Sequence, residues 1–183
     1  MTLTAPPVLK IRLARQDDLV ALSALMTLAI DRLQTDFLTP EQVEASHEVM
    51  GLDTQLIIDG TYFLVEDGNQ IAGCGGWSHR ATLFGGDQTP GRNAALLNPA
   101  QDAARIRAMY THPDFARRGV GTLVITTCEA AAAAAGFKRA EMAATLSGEP
   151  LYRAMGYKVL EHLEGRTSKG IVVPLKRMGK PLA

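Results

Sequence analysis

Residues 8–14 alternate: Leu9, Ile11 and Leu13 are apolar, while Lys10 and Arg12 between them are charged. A period of two predicts a half-buried strand that ends near Ala14. The period then lengthens. Leu19, Leu22, Leu25, Met26, Ala29, Ile30 and Leu33 recur at helical spacing behind Asp17 and Asp18, either of which can cap a first helix. Thr39, Pro40 and Glu41 in succession predict the cap and first turn of a second, shorter helix. Residues 61–77 read as two strands around the turn Asp67-Gly68-Asn69, a hairpin expected in the middle of a sheet. Gly73, Gly75 and Gly76 in its second arm predict a bulge or a close backbone approach.

Residues 78–102 carry Gly85, Gly86, Pro90, Gly91 and Pro99 without sustained periodicity, which predicts a long surface loop of the kind that often serves function. A strand over 105–111, a helix running to Gly136 and a strand over 138–145 follow. A short helix near 150–155 should stop at Gly156, before a strand at 157–162. The last strand is expected at 170–175. Pro174 has no N–H to give to a ladder, which predicts a sheet edge or a neighbouring bulge there. Strands and helices interleave without internal repeats, the pattern of an α/β domain.

Length and charge narrow the picture. A chain of 183 residues is the size of one domain and can bury about 70% of the surface it exposes when unfolded. Nineteen basic residues balance nineteen acidic ones, so global charge points to neither nucleic acid nor an anionic membrane as partner. Cys74 and Cys128 lie in apolar surroundings without metal-ligand spacing, as core thiols in a reducing compartment do. The start, MTLTAPPVLKIR, has no charged head followed by an apolar run, and no stretch reaches the roughly 20 apolar residues that span a bilayer. A soluble, cytoplasmic protein is expected.

Candidate chemistry concentrates in HPDFARRGVGTLVITTCEAAAAAAGF, residues 112–137. Val120, Leu123, Val124, Cys128, Ala131 and Ala135 give the helix one buried face, and the alanine run from Ala130 to Ala135 lets it lie close to a sheet. Its first turn leaves about four backbone N–H groups unpartnered, and the peptide dipoles place roughly half a positive charge there. Gly119 and Gly121 remove side chains that would keep a ligand away, and Arg117 and Arg118 add two full charges. Such a helix mouth suits an anion with several oxygens, for instance a pyrophosphate. A dinucleotide fingerprint would need glycine where Val124 stands, and a P-loop would need Gly-Lys-Ser/Thr, so neither motif is present.

With IRAMYTHPDFARRGVGTLVITTCEAAAAAAGF followed by LYRAMGYKVLE, residues 105–162 resemble the core of the GCN5-related N-acetyltransferases, the GNAT family. The resemblance implies a single domain over 1–183, with a mixed, mostly antiparallel sheet of six to seven strands and helices on both faces. It implies acetyl-coenzyme A as co-substrate, no metal, and a primary amine, most readily a small molecule, as acceptor. Backbone groups of Met109, Tyr110 and Thr111 would pair with the pantetheine arm, held between splayed strands. The N–H groups of Arg117, Arg118, Gly119, Val120, Gly121 and Thr122 would cradle the pyrophosphate. Tyr152 would protonate the departing thiolate; a phenol with a pKa near 10 is a neutral donor at working pH. Many members of the family are homodimers.

Three positions depart from the family pattern. Ala116 replaces a Gln or Arg in the loop, Thr145 replaces an Asn seven residues before Tyr152, and Arg107 stands where several members carry a glutamate base. His79, His112, Asp114, Glu141 and Glu149 are candidate bases by neighbourhood alone. If Arg107 points into the acceptor site, its guanidinium suits a substrate carboxylate; otherwise it meets solvent or a structural acid. Trp77 and His79, with the 78–102 loop, are expected to wall the acceptor pocket, a core position for Trp77 being the alternative. The competing functional class is a GNAT-like module that senses acyl-coenzyme A or another ligand without transfer.

Overall fold

The computed structural model describes residues 8–183; the N-terminal stretch 1–7, in which no targeting signal was expected, lies outside the described residues. Seven strands form one sheet: β1 (Leu9–Leu13), β2 (Tyr62–Asp67), β3 (Gln70–Ser78), β4 (Ala104–Thr111), β5 (Arg139–Thr145), β6 (Lys158–Arg166) and β7 (Val172–Pro181). Their order across the sheet is β1-β2-β3-β4-β5-β7-β6. Every neighbouring pair is antiparallel except β4 and β5.

Helices cover both faces because successive side chains of each strand point to opposite sides. From α1 (Leu19–Leu33), Leu22, Leu25, Met26 and Ile30 pack on Leu64, Cys74 and Tyr110. From α4 (Val120–Ala134), Val124, Ile125, Cys128 and Ala132 pack on Val65, Ala72, Ala104, Ile106 and Ala140. Leu64 and Val65, adjacent in β2, thus belong to different cores. The helix α2 (Pro40–Val49) lies over β7, with Val43 and Val49 against Val173. Thr39 caps it as expected, accepting the Gln42 N–H at 3.2 Å. Among the described residues, no helix is long and apolar enough to cross a membrane.

Several local expectations are corrected. Asp18 does not cap α1; a 3-10 turn (Gln16–Asp18) precedes the helix, and the Asp18 carboxylate accepts the Arg15 N–H at 2.7 Å and pairs with Arg12 at 2.8 Å. The short helix α3 (Thr54–Ile58), capped by Asp53, escaped the periodicity because it has a single turn to repeat in. β7 is not an edge strand but lies between β5 and β6. Pro174 is tolerated there because it pairs only with Glu164 of β6, while the β5 ladder begins one residue later, at Leu175.

Candidate active site

The site begins with a defect in the sheet. β4 and β5 run parallel and pair only through Ala104 with Ala140 and Arg105 with Glu141. Beyond that point they diverge, while β4 stays bound to β3 and β5 to β7. At the point of contact, Glu141 is buried and accepts from Arg105 of β4 at 2.8 Å and from Arg177 of β7, stitching three strands together. The divergence opens a slot whose sides are Ile106 to Tyr110 of β4, and Met142, Ala143 and Thr145 of β5.

A bulge shapes the β4 side. Cys74 pairs with Tyr110 and Gly76 with Arg107, so Ala108 and Met109 together oppose the single residue Gly75. Ala108 adopts φ of 50°, a left-handed conformation that is costly for a residue with a Cβ. Its carbonyl accepts a 2.7 Å hydrogen bond from the Tyr62 hydroxyl, which is buried and held neutral because desolvation drives its pKa far up. The three expected glycines of β3 serve this region. A Cβ on Gly75 would come within 2.7 Å of Val124 in α4, and one on Gly76 within 2.6 Å of the Thr61 carbonyl. Close approach of α4, and a bulge opposite, both need bare backbone here.

β4 leads through a 3-10 turn (Pro113–Phe115) into the mouth of α4. Arg117 has φ of 61° and Gly119 φ of 83°. The first helical bond runs from the Leu123 N–H to the Gly119 carbonyl, so the N–H groups of Gly119, Val120, Gly121 and Thr122 have no helical partner. Arg117 and Arg118 are exposed and form no ion pair among the described residues, although Arg118 lies over the Phe115 ring, 5.5 Å from its centroid. The two glycines divide their tasks differently from the expectation. The Cβ direction of Gly119 is open, whereas a Cβ on Gly121 would meet Leu151 at 2.5 Å, so Gly121 admits α5 (Glu149–Ala154) rather than a ligand.

Tyr152 of α5 reaches the slot wall. Its ring is buried, packs edge-on to Tyr157 at 6.3 Å, and its phenol is pushed up to about 12 by desolvation. Gly148 makes room for it, since a Cβ there would lie 2.7 Å from the ring. Thr145 spends its hydroxyl on the turn into α5, accepting the Gly148 N–H at 3.1 Å.

Arg107 borders the slot but is not a free receptor. It is 3% exposed, bonded to the Asp53 carboxylate at 3.0 Å and to the carbonyls of Gly85 at 2.6 Å and Thr82 at 3.3 Å. Asp53 also pairs with Arg92 at 3.0 Å. The structural-acid alternative is therefore the observed one. Trp77 and His79 are corrected as well. Trp77 is buried against Phe137 in the α4 core, and His79 packs edge-on to it, 3.9 Å from Asp59. Neither reaches the slot. From the 78–102 loop it is Leu83, Phe84 and Gly85 that do, facing Val49, Met50 and Gly51 at the end of α2. The loop is strapped down: Arg80 grips Asp59 at 2.7 and 2.9 Å, and Thr89 donates to the Glu48 carbonyl at 2.8 Å.

None of the candidate bases lines the slot. Glu141 is clamped by two arginines, and Glu149 is held below its usual range by Lys176 and by Arg153. His112 accepts the Asp114 N–H outside the slot. Asp53 and Tyr62 were not legible as site residues, because each acts through a partner distant in sequence, and neither Gly148 nor the α2 terminus carries a residue type that marks it.

The sequence profile of the acetyltransferase (GNAT) family matches residues 25–157. No curated protein sequence matches the chain. Among solved structures, a GCN5-related N-acetyltransferase from Rhodopseudomonas palustris superposes with a TM-score of 0.69 at 21% identity, covering 100% of this chain and 99% of that one. The PaiA N-acetyltransferase of Thermoplasma acidophilum, solved in complex with coenzyme A, gives 0.63 at 12% identity, over 94% of this chain and 98% of its own. YncA, a putative acetyltransferase from Salmonella typhimurium solved with acetyl-CoA, gives 0.62 at 14%, over 96% and 94%. The shared fold, and a family match extending from α1 through β4 and the helix mouth to Tyr157, establish that the chain belongs to the GNAT family of acetyltransferases.

Proposed function

We propose that the chain moves an acetyl group from acetyl-coenzyme A to a primary amine of a small acceptor by direct attack. One observation carries this reading: β4 borders a slot that lacks its β5 partner and leads directly into a helix mouth with unpaired N–H groups, while Tyr152 stands on the slot wall. Solved relatives that hold coenzyme A or acetyl-CoA support the choice of donor.

When bound, the donor supplies an acetyl group activated as a thioester. The backbone of Met109, Tyr110 and Thr111 would pair with the extended arm in place of the missing strand, and the N–H groups of Gly119 to Thr122, with Arg117 and Arg118, would receive the pyrophosphate. The amine nitrogen attacks the carbonyl carbon; a C–N bond forms, the C–S bond breaks, and Tyr152 gives its proton to the departing sulfur. The proton of the amine leaves to solvent, and Tyr152 regains one from solvent, which restores the phenol. Holding both reactants in one slot lowers the barrier by several kcal/mol, about 7–11 at the upper end for well-oriented pairs. Cys74 and Cys128 are buried thiols with pKa values raised by desolvation, which removes them as nucleophiles.

Calorimetric titration with acetyl-CoA, with ATP and NAD as controls, tests the reading on wild type and on Gly119→Trp, the fold of each checked by thermal melting. Selective binding at about micromolar Kd, lost in the variant, is expected. Absence of binding to a folded wild type would overturn it.

A further inference from the structure

The acceptor end of the slot has a chemical character of its own. Its apolar wall side chains are Val49, Met50, Leu83, Phe84, Met142 and Leu175, which stand beside the hydroxyl-bearing Tyr110, Thr145 and Tyr152. Among the described residues lining it, the one ionised side chain is the guanidinium of Arg107, and no carboxylate or imidazole is present. Nearby acids are already engaged: Asp53 by Arg107 and Arg92, Glu149 by Lys176 and Arg153, Glu141 by Arg105 and Arg177. Residues 1–7, MTLTAPP, contain no acidic side chain or histidine to add.

Two consequences follow for any amine that reacts there. No side chain of the slot accepts its proton, so it must arrive with an appreciable fraction already in the free-base form. At pH 7 about one α-amino group in ten is unprotonated, against about one lysine-like amine in 2,500. A second positive charge on the acceptor would enter the slot beside a guanidinium, with no carboxylate there to offset its desolvation.

We propose that the acceptor of this slot is the α-amino group of a compound whose body is apolar and carries no further positive charge, such as an amide of a hydrophobic amino acid. This rests on the acetyltransferase reading above and narrows it to a substrate class. The slot then selects against polyamines, aminoglycosides and the side-chain amines of basic peptides. Leu83 belongs to no core cluster, unlike Phe84, which packs on the α2 core. Leu175 is likewise outside the clusters but is buried, so the half-buried Leu83 is the wall position chosen for exchange.

The experiment measures kcat/KM at pH 7, by release of the coenzyme thiol, for leucinamide, phenylalaninamide, Nα-acetyl-lysinamide and spermidine. Donor binding is established first on the same preparation. The two hydrophobic α-amines are expected to exceed both cations at least tenfold, and Leu83→Asp is expected to narrow that ratio by supplying an anion. Turnover of spermidine or the lysine derivative equal to that of leucinamide would overturn the proposal, as would donor binding without turnover of either α-amine. Failure of acetyl-CoA to bind is a separate outcome, which overturns the acetyltransferase reading itself.

Discussion

Two phenols near the slot differ in what they touch, and that sets what each should do. Tyr152 lines the slot, and burial keeps it protonated until about pH 12. Tyr152→Phe is expected to lower kcat about 10²- to 10⁴-fold with acetyl-CoA affinity nearly unchanged, the size of a lost general acid. Calorimetry and steady-state kinetics on the same preparation separate the two. Tyr62 acts one step removed, through the Ala108 carbonyl at the strained bulge. Tyr62→Phe removes a part-buried hydrogen bond and should cost about 0.5–1.5 kcal/mol in urea unfolding. It should also lower kcat more than it raises KM for the donor, because the bulge, and not the helix mouth, is what relaxes. Asp59 tests the strap on the long loop. Its carboxyl is held below its ordinary value by Arg80, so its stabilisation is complete above about pH 4 and fades as pH falls through the lowered value. Asp59→Asn should therefore destabilise at neutral pH, with the difference from wild type shrinking in acid, as melting curves across pH would record.

At the scale of elements, the glycines of β3 let α4 sit close to the sheet. Gly75→Val would drive methyl groups into the Met109 side chain of β4 and into Val124 of α4, and overpacking of this kind costs about 1–3 kcal/mol. Urea unfolding reads it, and a free energy equal to wild type would mean that the helix yields without strain. Most elements were legible in the sequence because their signals are local: alternation in β1, helical spacing in α1, the Thr39 cap, the turn of the β2–β3 hairpin. Asp18 and Pro174 were decided by neighbours that local pattern does not contain, Arg12 and the short reach of β5, and α3, too short to repeat, is marked only by Leu56 and Ile57 in the α1-side core.

For the whole molecule, the helix mouth, β4 and Tyr152 were legible because each occupies a motif position in a contiguous segment, and the structure places β4 and Tyr152 on one slot. The acceptor side was not. Trp77 and His79 are conspicuous in sequence, yet Trp77 belongs to the core and His79 stacks edge-on against it, half-buried, while Val49, Met50 and Leu83, ordinary residues in any helix or loop, line the slot. Arg107 shows the same limit: residue type suggested a receptor, but its meaning depends on Asp53, which comes from the α2–α3 connection.

The junction of β4 with β5 through only two residue pairs also has a consequence for how the protein breathes. The sheet is two half-sheets, β1 to β4 and β5 to β7, sharing one stitched end and otherwise held together by the α4 core rather than by ladder bonds. In the proposed complex an extended donor arm lies where ladder bonds are missing, so ligand binding and completion of the sheet become the same event. Backbone amides of 106–111 and 142–145 should then exchange with deuterium markedly more slowly in the presence of acetyl-CoA, whereas those of the β2–β3 hairpin, already paired on both sides, should hardly change.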